Sequence, residues 1–125
     1  MAQQLVDDGL EFITDVLDSG AGQVALPADL YIAWGTSGTA PAAGDTALGA
    51  EASETRVAVT SDQSTATTNR YVATITADGT KTIQEAGLLT ASTSGVLIIR
   101  GTHTAVPVNA SDQIQYTFTM AHTAA

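Results

Sequence analysis

Between Ile83 and Val106 the chain reads IQEAGLLTASTSGVLIIRGTHTAV, and no other stretch narrows the possible folds as far. Two β-prone runs, Ile83–Leu89 and Val96–Ile99, flank the small polar cluster Ala91-Ser92-Thr93-Ser94-Gly95. Such a cluster between such runs favours an antiparallel hairpin over a helix, because glycine can take the positive φ that a tight return demands. The hairpin holds one acid, Glu85, and one base, Arg100, in otherwise neutral strands. This placement predicts a structural ion pair for Glu85, with Arg100 on the facing strand or with Arg56 or Arg70.

Strand character recurs along the chain. Gln113–Met120 alternates strictly, with Ile114, Tyr116, Phe118 and Met120 on one face and Gln115, Thr117 and Thr119 on the other. Leu30–Trp34, Thr55–Ser61 and Arg70–Ala77 read as further strands. Thr46–Glu51 reads as a turn sending Leu48 inward, and Asp62–Asn69 as an exposed connection. Ahead of them, residues 2–18 space Leu5, Phe12, Ile13, Val16 and Leu17 as an amphipathic helix requires, although Gly9 interrupts the pattern. Asp7, Asp8 and Glu11 sit where the helix dipole favours acids, and Ser19-Gly20 supplies a stop. The expected fold is therefore mainly β, a Greek-key or jelly-roll-like β-sandwich with an N-terminal amphipathic helix. The expected division is a helix over 1–19, a flexible arm over 20–29 in which Pro27 excludes a continued helix, and a sandwich over 30–125.

A chain of 125 residues suffices for one domain. It is 44% hydrophobic but only 5% aromatic, which predicts a thin core of Ala, Val, Leu and Ile, with oligomerisation as one remedy. Four Lys+Arg residues and a net charge of -9 argue against nucleic acid or an anionic membrane as partner, since nothing here neutralises a row of phosphates. The absence of cysteine removes disulfides and thiolate metal sites. No run reaches transmembrane length, and Met1–Asp8 lacks the basic and apolar regions of a secretory signal, so synthesis in the cytoplasm is expected.

Candidate sites for chemistry are few. His103 and His122 lie on different predicted strand segments without acids at ligand spacing, which falls short of the three or four ligands of a zinc site. Gly35–Asp45 has the small residues of a phosphate loop but no lysine and no apolar helix after it. Serine and aspartate are plentiful without a nucleophile elbow. Trp34 with Tyr31 could stack on a sugar, but a lone strand tryptophan is more often core. The expectation is a protein with no catalytic residue, no cofactor and no metal.

Gly9-Leu10-Glu11-Phe12, the strand Tyr31-Ile32-Ala33-Trp34-Gly35-Thr36, the loop Thr39-Ala40-Pro41 through Asp45-Thr46-Ala47-Leu48, and Glu85-Ala86-Gly87-Leu88-Leu89 followed by Ser94-Gly95-Val96-Leu97-Ile98-Ile99-Arg100-Gly101-Thr102 form one ensemble. From Gly9 to about Phe118, this ensemble resembles small structural proteins of tailed bacteriophages. Related patterns occur in head decoration (cement) proteins and in tail-fibre or baseplate components. The resemblance implies a non-enzymatic virion protein on the capsid surface that bridges subunits of the major capsid protein. It would act as a homo-oligomer, with a trimer expected ahead of a dimer. The expected capsid contacts are Leu5, Phe12, Ile13, Val16 and Leu17 on the helix, with Val24, Leu26 and Pro27 in the arm. The blander reading of the same helix is that it closes one side of the β core. The alternative function is a tail-fibre or baseplate module touching the host surface through the Gly35–Asp45 and Ser61–Asn69 loops with Trp34 or Tyr71.

Overall fold

The hairpin is the longest antiparallel pair of the larger of two sheets in the computed structural model, which describes residues 1–124. The elements run β1 (Ala2–Leu5), α1 (Asp7–Leu17), β2 (Tyr31–Gly35), β3 (Val57–Ala58), β4 (Thr60–Thr65), β5 (Thr68–Thr76), β6 (Lys81–Leu89), β7 (Leu97–Val108) and β8 (Gln113–Ala121). The larger sheet has the order β1-β7-β6-β2-β3 and the smaller one β4-β5-β8, with every pairing antiparallel. The molecule is thus mainly β, with one short N-terminal helix.

Between β6 and β7, Gly95 turns the chain at φ +76° and Ser94 at +53°. Thr90 closes the turn twice: its N–H donates to Val96 O at 3.1 Å and its Oγ1 accepts the Val96 N–H at 2.9 Å. At the other end the ribbon does not stop. Past Lys81↔Val108 both strands bend and pair again as β5 and β8 from Thr76↔Gln113. The corner is held by Ala77 N–H to Asp112 O at 2.7 Å and Ser111 N–H to Ala77 O at 2.9 Å. One two-stranded ribbon therefore crosses from the larger sheet to the smaller, and the inner faces of both enclose the core.

Aromatic residues are scarce but concentrated in that core. Trp34, Phe118 and Tyr116 are buried beside Ile32, Ile75, Ile83 and Leu88, so these rings join the Ala, Val, Leu and Ile expected from composition. A large ring removes more apolar surface from water than any aliphatic side chain, and a few centrally placed rings offset many alanines.

The N-terminal segment differs from expectation. Residues 2–5 are strand, not the first turn of a helix, because Ala2–Leu5 pairs with Thr102–Ile99 along β7. Leu5 satisfies both periods, and the edge of β7 decides between them by offering backbone partners. The helix begins only after Val6, which is extended at φ -91°, ψ 163° and provides no side-chain cap. Its first donor is satisfied from outside, by Asp7 N–H to Ala43 O at 2.7 Å. Since β1 belongs to the sheet, residues 1–19 are not a helix beside a separate sandwich. Gly9 lets α1 approach the sheet, since a Cβ there would lie 2.5 Å from Ile98 O.

Two further expectations change. Thr55–Ser61 is not one strand: β3 stays in the larger sheet, Val59 N–H donates to Leu30 O at 2.9 Å, and β4 joins the smaller sheet. Asp62–Asn69 is mostly hairpin, with β4 fully exposed, so neither of its faces carries the alternation that betrays a strand.

Candidate functional site

Two features stand out: a buried charge clamp beneath a long loop, and a groove beside the helix. In the clamp, Glu85 and Arg100 are 0% and 2% exposed. Arg100 Nε donates to Glu85 Oε1 at 3.0 Å. The same Oε1 accepts the Gly49 N–H at 2.8 Å, while Oε2 accepts the Ala50 N–H at 2.7 Å and the Ser37 N–H at 3.1 Å. Arg100 continues outward, with Nη1 to Asp45 Oδ2 at 3.0 Å and Nη2 to Thr39 O at 2.9 Å. Both ends and the middle of the loop 36–50 are thereby tied to one ion pair. A carboxylate that is fully buried and accepts four hydrogen bonds has no face to offer a substrate, so the chemistry available to Glu85 is structural. Burying two charges costs several kcal/mol per ion, and the four hydrogen bonds accepted by Glu85 and the three donated by Arg100 offset that cost.

The other cations are engaged elsewhere. Arg56 forks onto Glu51 with two contacts of 2.9 Å, and its Nη1 donates to Ala91 O and Ser94 O at 2.9 and 2.7 Å, pinning the hairpin turn. Arg70 pairs with Asp62 across β4 and β5, and Lys81 with Glu54 and Asp78. All four basic side chains of the sequence therefore sit in internal ion pairs. Burial works to raise the Glu54 carboxyl, but the Lys81 ammonium bonded at 2.6 Å, the Trp34 indole and the Asp78 N–H together outweigh it and bring it down to about 2. The indole contributes without reaching hydrogen-bond geometry: Trp34 Nε1 and Glu54 Oε1 are both buried and unpartnered among the described residues.

The residues expected to touch a capsid are divided by the fold. Leu5 lies half-buried in β1, and Phe12, only 9% exposed, packs into the core while also lining the helix groove. Ile13 and Val16 are half-buried against the core, as the blander reading of the helix requires, and Pro27 is half-buried in the arm. Leu17, Val24 and Leu26 remain exposed at 78%, 41% and 65%, and Leu10 joins them at 49%. Leu17 and Leu26 border a groove of about 300 Å³ whose floor includes Ile13, Val16, Leu30, Tyr71 and Met120. Asp8, Glu11 and Asp15 of α1 border a second groove with Phe12, Val24 and Val96, without a cationic partner among the described residues.

Trp34 is 1% exposed, so it cannot stack on a sugar or reach a host surface. Tyr71 is half-buried and lines an open groove of about 400 Å³ with Asp29, Ser61, Asp62, Gln63 and Asn69. Burial raises its phenol, and that of Tyr116, above the ordinary tyrosine range. His103 Nε2 meets Tyr116 Oη at 2.8 Å and His122 Nε2 meets Asn69 Oδ1 at 3.1 Å. Among the described residues no three His, Asp or Glu side chains converge as metal ligands.

Several clamp members were invisible in the sequence, because Ser37, Gly49 and Ala50 act through backbone N–H groups that any residue supplies. Asp45 did leave a signal: it is the one charge in the loop 36–50. Compared with protein-family models, curated proteins and solved structures, the chain gives no significant match.

Proposed function

We propose that this chain is a structural protein of a tailed-bacteriophage virion, a capsid decoration (cement) protein that binds the outside of the assembled head and bridges major capsid protein subunits. The observation that carries the reading is the apolar groove beside the helix, bordered by the exposed Leu17 and Leu26, on a chain whose four basic side chains are all held in internal ion pairs. Exposed apolar patches at a groove mark docking surfaces more often than isolated leucines do. The resemblance of the Gly9–Phe118 pattern to phage structural proteins supplies the partner. In this reading the protein is made in the host cytoplasm, works without enzymatic activity as a homo-oligomer, and ends on the capsid surface. Its sandwich is wound in a jelly-roll-like way, for which the ribbon shared by β5–β8 is the support.

The mechanism is mass action. A protein that binds the assembled shell better than free subunits stabilises the shell, and many copies held at repeated positions gain by avidity what one small contact lacks. Adding the purified protein to undecorated heads tests this. Saturable binding and a raised melting temperature of the heads are expected, with both lost in the Leu17→Asp, Leu26→Asp double variant. Absence of saturable binding by the unaltered chain would sink the reading.

A tail-fibre or baseplate module touching the host surface is the second reading, and the polar groove around Tyr71, Asn69 and Gln63 favours it. Binding to whole host cells, abolished by Tyr71→Ala and untouched by the Leu17 and Leu26 changes, would select it over the first.

A further inference from the structure

An edge strand presents a row of unpaired backbone donors and acceptors that another chain can join, and proteins usually blunt such edges. Most edges here are blunted. β1 has 4 residues and β3 has 2. β4 is broken by a bulge between Gln63 and Thr65 and carries the Asp62–Arg70 pair. The part of β7 that runs beyond β1 contains Pro107, which has no N–H to offer. β8 has none of these devices. Its 9 residues pair with β5 in unbroken register from Thr76↔Gln113 to Thr68↔Ala121, with no charge, proline or bulge.

The orientation of its free groups follows from two bonds. His122 N–H donates to Thr67 O at 2.8 Å on the β5 side, while Thr119 O faces away from β5 and accepts from Gln3 Nε2 at 2.7 Å. Alternation along an antiparallel pair then turns the backbone groups of Gln113, Gln115 and Thr117 outward as well. Gln3 occupies one end of the edge, and among the described residues no strand pairs with Gln113–Thr117 on that side.

Charge selects the occupant. Two copies of a chain of net charge -9 repel unless they meet on a neutral surface. Among the described residues Asp7, Asp8, Glu11, Asp15, Asp18 and Asp29 have no cationic partner, and none of them lies on β8, which carries no charge. The nearest acid, Asp112, accepts the Asn109 N–H at 2.8 Å and sits three positions from Gln115.

We propose that β8 pairs antiparallel with β8 of a second copy of this chain, about a two-fold axis at Gln115, so that the smaller sheet runs through both molecules. Gln115 then faces its own copy and Gln113 faces Thr117, which uses every outward group of the open stretch and leaves the Gln3–Thr119 bond in place. The half-buried Ile114 on the inner face meets Tyr116 of the second copy. Such an interface is isologous and closes at two chains, unlike the trimer expected from the resemblance. The pairing is independent of what the helix groove docks onto.

Sedimentation velocity of the full chain over a micromolar concentration series tests it. A reversible shift from the 12.7 kDa chain to twice that mass is expected. Gln115→Pro removes the N–H on the axis without touching the β5 ladder, and Gln115→Lys sets two ammonium groups directly opposite each other, a destabilising placement. Each should weaken dimerisation by about tenfold or more, while Gln63→Lys on the β4 edge leaves the mass unchanged. If the proline variant fails to fold by circular dichroism, the lysine variant carries the test. A monomer at every concentration, a trimer, or a dimer indifferent to both Gln115 variants would overturn the pairing.

Discussion

Glu85 and Arg100 are diagonal neighbours in the hairpin, not facing ones: Glu85 lies opposite Thr102 and Arg100 opposite Gly87, yet their side chains meet at 3.0 Å. A diagonal approach leaves the carboxylate room for three backbone donors from the loop 36–50 and frees the guanidinium to reach Asp45 and Thr39. Removing one partner of such a buried pair strands the other charge. Glu85→Ala should therefore cost about 3–5 kcal/mol, and Glu85→Gln less, since an amide oxygen still accepts. Urea unfolding midpoints read both, and a loss under about 1 kcal/mol for the alanine variant would contradict the clamp. Amide exchange at Gly49 and Ala50 should accelerate in parallel.

Arg56 and Arg70 form ion pairs of unequal worth. Arg56 is 10% exposed and also holds two carbonyls of the hairpin turn, whereas Arg70 and Asp62 are 45% and 50% exposed. Arg56→Lys loses the planar fork and should cost about 1–3 kcal/mol, with faster exchange at Ser92–Val96. Arg70→Lys should leave the melting temperature nearly unchanged, because solvent screens that pair. Equal losses in a thermal melt would refute the distinction.

Gly9→Ala sets two effects against each other. Alanine gains about 1 kcal/mol of helix propensity over glycine. Its Cβ, however, would sit 2.5 Å from Ile98 O, a backbone atom that moves only with β7. Overpacking should win, with a net loss of about 1–3 kcal/mol by chemical denaturation. A more stable Gly9→Ala protein would mean that α1 does not sit this close to the sheet.

Stability should fall in acid through a definable group. The folded Glu54 carboxyl is lowered to about 2 from the ordinary 4.5, so its contribution is complete above about 4.5 and disappears as pH drops through that window to about 2. The melting temperature measured from pH 7 downward should decline across this range, and Glu54→Gln should flatten the decline. A variant that keeps the same acid slope would place the responsible carboxylate elsewhere.

Much of the hairpin was legible in residue order, because Ile83–Leu89 and Val96–Ile99 carry their own strand preference and Gly95 its own turn. The alternation over Gln113–Met120 likewise announces β8 and its buried face, since a period of two has no other regular meaning. Leu17, Val24 and Leu26 are exposed while Leu5 and Phe12 are packed against the sheet, a division the pattern alone does not make. Apolar character is the same on both sides of a helix until something packs against one side.

The sequence by itself determined a cysteine-free, acidic, mainly β chain with one helix and an ion-pair candidate in its central hairpin, because these follow from composition and short-range periodicity. Only the tertiary structure decided that Ala2–Leu5 is a strand, that β3 and β4 part into different sheets, and that Glu85 anchors the loop 36–50. Each of these depends on backbone hydrogen bonds between residues far apart in the chain. A backbone N–H is identical in nearly every residue, so its partner is chosen by packing and leaves no mark in the order of side chains.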